Sequence, residues 1–313
     1  MTLQQLAYFL AVARTRHFTR AAEESRVAQP SLSKQIQALE KELGAELFSR
    51  ARGNVALTPA GEALLPIALR ILSDVDTAHL EVAELVGLRS GRVRVGAPPS
   101  LCASLFADVL KRYHDAYPGI RLLVTESGSR DLERDLTAGA LDLALVIASP
   151  GLSLTAVPVL SEELVVASAR PLGRDRVRLS DLRDEPVVMF REGYDLRETT
   201  VAACRAAGFE PRFSVEGGEM DAVLRFVEAG LGVALVPSMV LATRPLLHGT
   251  PLAAPGIRRT IALAHRTDVA PTGAARAFRS VLLSFLRGAE LPSGVRAADP
   301  VAKLGRGRGA LLG

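Results

Sequence analysis

Tryptophan is missing from this 313-residue chain, and aromatic side chains make up only 4% of it. Cysteine is almost as scarce. Cys102 and Cys204 cannot by themselves build a disulfide framework or a metal site, and neither has an obvious neighbouring charge to lower its pKa. His17, His79, His114, His248 and His265 are scattered without metal-ligand spacing. No apolar run approaches the ~20 residues that a bilayer span requires, and no basic lead into an apolar stretch marks a secretory signal. These absences describe a soluble protein of a reducing compartment, the cytoplasm, with no membrane partner. Enzymatic signatures are lacking too. There is no Gly-Lys-Ser/Thr phosphate loop and no Gly-x-Ser-x-Gly elbow, and Gly230-Leu231-Gly232 follows a helix pattern, the wrong context for a dinucleotide loop. No catalytic residue, cofactor or metal is therefore expected, and the chain does not read as an enzyme.

What the chain does have begins at residues 18–44. Thr19 is placed to cap a short helix through Ala21, Ala22 and Glu23, and Arg26-Val27-Ala28 is long enough only for a turn. Pro30 suits the start of a second helix, on which Leu32, Ile36, Leu39 and Leu43 form one apolar stripe. Ser33, Lys34, Gln37 and Lys41 are left on the open side, where such side chains reach bases and phosphates. Leu6, Phe9, Leu10 and Ala13 supply a preceding helix. This is a helix-turn-helix pattern, although pairs of amphipathic helices also occur in all-α proteins that touch no DNA. Downstream, Gly53-Asn54 between two short extended runs reads as a hairpin with Arg50 and Arg52 at its tip, a wing able to follow a phosphate backbone.

Residues 1–61 resemble the winged helix-turn-helix of the LysR-type transcriptional regulators. The likeness runs through Leu3, Phe9, Phe18-Thr19-Arg20-Ala21-Ala22-Glu23, Gln29-Pro30-Ser31-Leu32-Ser33-Lys34-Gln35-Ile36, Leu39-Glu40, Leu43-Gly44, Leu47-Phe48, Arg50 and Leu57-Thr58-Pro59-Ala60-Gly61. It implies that Gln29, Pro30, Ser33 and Lys34 meet bases and that the wing arginine enters the minor groove. Thr19, Arg20, Ser31, Gln37 and Arg52 complete the candidate DNA contacts. Two departures stand out: Ala28 replaces a capping Ser or Thr, and Ala56 replaces a charged wing residue.

Charge divides the next segment from the first. Residues 1–58 carry eight Lys/Arg against five Asp/Glu, whereas 59–88 carry one Arg against five Asp/Glu. Thr58 and Pro59 begin a long helix on which Leu64, Ala68, Ile71, Val75, Ala78, Val82 and Leu85 recur at heptad steps. Such a stripe can face a domain core or a twin helix. The acidic flanks and the Gly87/Gly91 exit favour the twin, and the resemblance places the family's dimerising linker here.

From Arg92 to Arg287, strand and helix patterns alternate: strands at 93–97, 120–125, 143–147, 163–168, 187–190, 213–216, 233–236 and 261–265, helices at 100–113, 131–138, 195–207, 219–229 and 271–287. This predicts parallel-rich α/β sheets, with ligands beyond the carboxyl ends of the strands. Three junctions offer hydroxyls and N–H groups to a small carboxylate: Pro98-Pro99-Ser100, Glu126-Ser127-Gly128-Ser129 and Arg191-Glu192-Gly193-Tyr194. Ordinary helix capping explains the same serines, and Arg191 and Arg197 could be anion clamps or structural arginines. Tyr117-Pro118-Gly119, Leu132 through Ala144, and Ala229 through Pro237 resemble the family's effector-binding region.

The resemblance implies an α+β multidomain chain: a winged helix-turn-helix (1–58), a linker helix (59–90) and two α/β subdomains resembling a periplasmic solute-binding protein (91–290). Subdomain 1 would comprise about 92–162 and 268–290, and subdomain 2 about 163–267. An effector cleft would be lined by Ser100, Leu101, Ser127, Ser129, Ile147, Arg191, Gly193 and Arg197. The implied function is sequence-specific regulation of transcription, modulated by a small effector, an organic acid. The implied partners are double-stranded DNA carrying an interrupted inverted repeat in a promoter, the effector, a second copy in a dimer or tetramer, and RNA polymerase. The α/β region alone would also suit a solute-binding protein of transport. Residues 291–313, with Gly305-Arg306-Gly307-Arg308-Gly309, have too little apolar content to pack and read as a disordered tail or a non-specific phosphate contact.

Overall fold

The computed structural model describes residues 1–49, 55–85, 91–148 and 153–298. Two compact units make up the chain, one built on Met1–Leu88 and the other on Arg89–Leu136 with Leu141–Gly313.

The first unit holds α1 (Leu3–Thr15), α2 (Phe18–Glu24), α3 (Gln29–Leu43), β1 (Phe48–Ser49), β2 (Ala56–Leu57) and α4 (Pro59–Leu85). Thr2 and Gln5 close a capping box on α1. The cap of α2 is His17, whose Nδ1 accepts from the N–H groups of Thr19 and Arg20 at 3.2 and 3.4 Å, so Thr19 is not the cap. An imidazole nitrogen serves here as well as a hydroxyl. Ala28 precedes α3 without any side-chain cap bond. Leu6, Phe9, Val12, Ala21, Ala22, Leu32, Ile36 and Leu39 close one core with Leu47 and Phe48. The stripe ends at Leu39: Leu43 is 43% exposed. β1 and β2 pair antiparallel through Phe48 with Leu57 and Ser49 with Ala56, the base of the wing. Glu40 Oε1 accepts from Leu47 N–H at 2.8 Å and ties that base to α3. Thr58 caps α4, its Oγ1 accepting from Gly61 N–H at 3.1 Å. Gly61 must lack a side chain, because a Cβ there would lie 2.2 Å from the Leu47 carbonyl oxygen.

The second unit runs β3 (Gly91–Ala97), α5 (Pro99–Cys102), α6 (Phe106–Ala116), β4 (Ile120–Glu126), α7 (Ser129–Thr137), β5 (Leu143–Ile147) and β6 (Thr155–Ser168). It continues through β7 (Pro186–Met189), α8 (Asp195–Ala206), β8 (Arg212–Glu216), α9 (Met220–Glu228), β9 (Ala234–Pro237), β10 (His248–Pro251), β11 (Arg258–His265), α10 (Gly273–Gly288) and β12 (Val295–Ala297). The helix expected over 100–113 is two helices. Ser104 lies between them, and its hydroxyl donates to the Ser100 carbonyl at 2.7 Å.

β4, β3 and β5 form a parallel core, as do β7 and β8, but β11, β6, β9, β10 and β12 join antiparallel. The parallel-rich expectation therefore holds for β4, β3 and β5 and for β7 and β8, and fails for the strands that join them. β6 is the reason. It pairs with β11 up to Glu163 and then passes into the second lobe beside β9 and β10. Arg258 lies opposite Glu163, so the chain is back at the first lobe by residue 258, well before the expected return near 265–268. Adjacent antiparallel strands must cross at the same level. The supposed tail also begins later: Val295–Ala297 pair with Leu160–Glu162, and Val295 is buried. Gly305–Gly309 lie outside the described residues.

Candidate DNA-reading surface and effector cleft

On α3 the face opposite Leu32, Ile36 and Leu39 carries Gln29, Pro30, Ser31, Lys34 and Gln37, all exposed, and the half-buried Ser33. Gln29 Nε2 donates to Ser33 Oγ at 2.9 Å, one turn apart, and fixes the amide at the start of the helix. Thr19 and Arg20 are exposed on α2, which Ala21 and Ala22 hold close to α3. Arg50 and Arg52 lie outside the described residues. An exposed polar flank on a helix whose other face is core can enter a groove without disturbing the fold.

The seam expected on α4 divides in two. Ala68 is 0% exposed within a single chain and belongs to the helix-turn-helix core, with Leu64 and Ile71 packed against it. Ala68 is thus withdrawn from any contact with a twin helix, because its own unit already encloses it. Val75 is half-buried, Ala78 exposed, and Val82 61% exposed. The Leu85 side chain lies outside the description.

In the second unit, the residues expected to line a cleft fall into separate groups. Ser129 Oγ accepts from Ile147 N–H at 3.0 Å, which brings α7 and the end of β5 together. Ser127 Oγ donates to Asp131 Oδ2 at 3.2 Å. Leu101 is enclosed in the core and its N–H is bound to Pro98 O, so it has nothing to offer a ligand. Arg191 and Arg197 are structural in this state. Arg191 Nε donates to Glu219 at 2.8 Å; Arg197 reaches Phe190 O at 2.9 Å and Glu216 at 2.7 Å. Arg197 and Gly193 line a groove of about 480 Å³ on the flank of α8, and Ser100, Ser127, Ser129 and Ile147 do not.

Ser100 belongs to a cluster that the motif reading missed. Its fully buried Oγ accepts from Arg259 Nη2 at 2.6 Å. Arg259 Nε donates to Glu162 Oε1 at 2.5 Å, and Nη1 to Asp195 Oδ2 at 3.3 Å. Glu162 is 0% exposed, and its second oxygen, Oε2, is buried without a hydrogen-bond partner. Burial pushes the Glu162 carboxyl above its ordinary range, an effect opposed by Arg259 and reinforced by Asp195. The signal was present in the charged doublets Glu162-Glu163, inside β6, and Arg258-Arg259, at the start of β11, which pair residue for residue across the two strands.

Other carboxylates gather nearby. Glu126, at the end of β4, is pushed above 4.5 by burial and then by Glu219 and Asp221 at the start of α9. Burial also raises the Tyr194 phenol, with further contributions from Asp195, Glu219 and Glu126, so it stays neutral. Cys102 is raised to about 12 by burial and by Glu126, and Cys204 to about 11 by burial and by Glu210. Both thiols are therefore protonated at neutral pH and poor nucleophiles.

Residues 3–62 match the family model of the bacterial regulatory helix-turn-helix protein, lysR family, and residues 87–287 that of the LysR substrate binding domain. The chain belongs to the LysR family of transcriptional regulators. Among relatives of this LysR-type chain, the transcriptional dual regulator GltC of Bacillus subtilis is 32% identical over 270 residues, covering 84% of this chain and 90% of that protein. A full-length OxyR variant from Pseudomonas aeruginosa superposes with a TM-score of 0.70 at 26% identity, over 96% of this chain and 98% of that one. Full-length CbnR, solved in complex with its target DNA, gives 0.67 at 25% identity, over 90% of this chain and 99% of that one. This LysR-type chain is accordingly a DNA-binding transcriptional regulator with an effector-binding domain, and a transport solute-binding protein is not favoured. Among its described residues no helix is long and apolar enough to cross a membrane.

Proposed function

We propose that this regulator reads an interrupted inverted repeat in a promoter, as a dimer or as a tetramer of two dimers, and that a small organic acid adjusts how it does so. The observation that carries the DNA half is the exposed flank of α3, with Gln29, Ser31, Lys34 and Gln37 opposite a closed core. Two such flanks related by a two-fold axis fit two half-sites. Arg50 and Arg52 follow the backbone beside each half-site. Val75, Ala78, Val82 and Leu85 hold the twin linker helices together. The site of action is the cytoplasm, where the promoter is, and RNA polymerase is the partner that the bound regulator recruits or excludes.

The effector half rests on the Arg259 cluster, where the two lobes of the second unit are tied together. Ser100, on α5, and Asp195, on α8, hold the same guanidinium of Arg259, and the strands β6 and β11 form the hinge beside them. An acid that competes for that guanidinium, aided by Ser127, Ser129 and the N-terminal N–H groups of α7, changes how the lobes are tied. It acts only insofar as it prefers one lobe arrangement over the other. Footprinting the protein on the DNA upstream of its own gene and of the neighbouring divergent gene, with and without candidate organic acids, tests both halves. Protection of two symmetric half-sites whose extent changes with an acid is the expected result. No protected site at low ionic strength would overturn it.

A further inference from the structure

The charge around the cleft is the wrong sign for a simple anion. Arg130, Arg191, Arg197 and Arg259 each already hold a carboxylate, from Glu198, Glu219, Glu216 and Glu162 respectively. Asp131 and Asp221 are paired in turn with Arg134 and Arg244, and Glu126 and Asp195 are left over. Glu126, from the first lobe, faces Glu219 and Asp221 of the second closely enough for their charges to raise its pKa, and among the described residues no basic side chain pairs with it. Asp195 shares a guanidinium that Glu162 already neutralises. Three of the helices entering this region also carry an acid at their start, although α5 does not: Asp131 on α7, Asp195 on α8, and Glu219 with Asp221 on α9. Carboxylates converging from two lobes repel one another unless a cation lies among them.

A second observation is independent of that count. Glu162 Oε2 is fully buried, adjoins Arg259 and Asp195, and accepts no hydrogen bond. A buried carboxylate oxygen left unpaired is costly, and a donor from outside the chain would satisfy it. A metal ion is a poor candidate, since among the described residues no group of His, Cys, Asp and Glu could hold one. An organic ammonium group, with several donors on a compact charge, suits carboxylates spread over a wider space.

We propose that the effector of this regulator is an amino acid bound as a zwitterion, its carboxylate held by Arg259 and Ser100 and its ammonium group by Glu162, Asp195 and the acids of the opposite lobe. The inference rests on the effector-binding reading above and narrows the acid to one that also carries an amine. The carboxylate displaces Asp195 from Arg259 Nη1, the longest of the three contacts to that guanidinium at 3.3 Å. Asp195, set free, turns to the ammonium group. The ligand thereby replaces a tie between the lobes with contacts to both.

Thermal unfolding of the full-length protein with each standard L-amino acid, set against the 2-hydroxy acid and the primary amine of the same side chain, tests this directly. At least one amino acid should raise the unfolding midpoint, and its hydroxy-acid and amine counterparts should not. Asp195→Asn, at a residue whose side chain is 26% exposed, should weaken binding of that amino acid by about tenfold or more. Should D195N fail to unfold cooperatively, Ser100→Ala serves the same purpose at the carboxylate end. Equal shifts from the hydroxy acid would overturn the ammonium subsite and leave the organic-acid reading standing. A shift from the amine alone, or none from any amino acid, would also overturn it, while footprinting judges the regulator separately.

Discussion

Arg259 Nη2 donates to Ser100 Oγ over 2.6 Å, although the two residues stand 159 positions apart in the chain. The same guanidinium holds Glu162 on the neighbouring strand and Asp195 at the start of α8, so one side chain ties the hinge to both lobes. Removing one member of a buried ion pair leaves the other charged and unpaired, a cost of about 3–5 kcal/mol, whereas replacing both by apolar groups is often nearly neutral. Arg259→Ala should therefore lower the unfolding midpoint of the effector-binding unit sharply, and Arg259→Met with Glu162→Leu should recover most of the loss. Denaturant unfolding of the three proteins checks this; a double variant as unstable as the single one would mean the pair itself holds the fold.

Glu126 gives a pH signature. Its carboxyl is raised above 4.5 in the folded protein, by burial and by Glu219 and Asp221, so folding favours its protonated form. The associated stability is fully present below the unfolded value and is lost as pH rises through the folded value. Glu126→Gln cannot ionise and escapes that loss. The variant should unfold at a higher temperature than the wild type at pH 7 and show little difference at pH 4. Equal gains at both values would point to packing instead of charge.

Much of the DNA-binding unit was legible because its signals are local. Leu32, Ile36 and Leu39 mark the buried face of α3 by spacing alone, and Thr58-Pro59 announces α4. The same logic misplaced the cap of α2, where a histidine two residues earlier supplies the acceptor in place of Thr19. It also ran the stripe one turn too far, to Leu43, where the core has already ended. Periodicity could not tell which core a stripe serves, and so Ala68 read as part of an intermolecular seam. Non-local pairing was the hardest to see. Ser100 was visible as a strand-to-helix serine, but Arg259 and Glu162, 97 positions apart, meet only through the register of β6 and β11. Short strands such as β10 and β12, at four and three residues, leave almost no periodic trace.

The linker helix separates two kinds of apolar position. Val75→Asp with Val82→Asp should split the dimer while each chain stays folded, seen as a halved mass by light scattering. Ala68→Asp should instead unfold the helix-turn-helix unit, because that position is enclosed by its own chain. An unchanged mass in the valine double variant would remove α4 from the dimer contact.

Hydrogen peroxide should leave promoter binding unchanged. Cys102 and Cys204, raised to about 12 and about 11, present almost no thiolate at pH 7. Oxidation measured by thiol labelling should be slow, and Cys102→Ser should bind promoter DNA as the wild type does. Rapid loss of one labelled thiol together with altered DNA binding would contradict this.

The most direct measurement compares wild type and Lys34→Ala on the footprinted promoter site and on random duplex of equal length, by fluorescence anisotropy at one salt concentration. If the exposed flank of α3 reads bases, the variant should lose roughly tenfold or more on the cognate site and much less on random DNA. Equal losses on both would reduce Lys34 to a phosphate contact, and no loss on either would mean that this face of α3 does not meet the DNA.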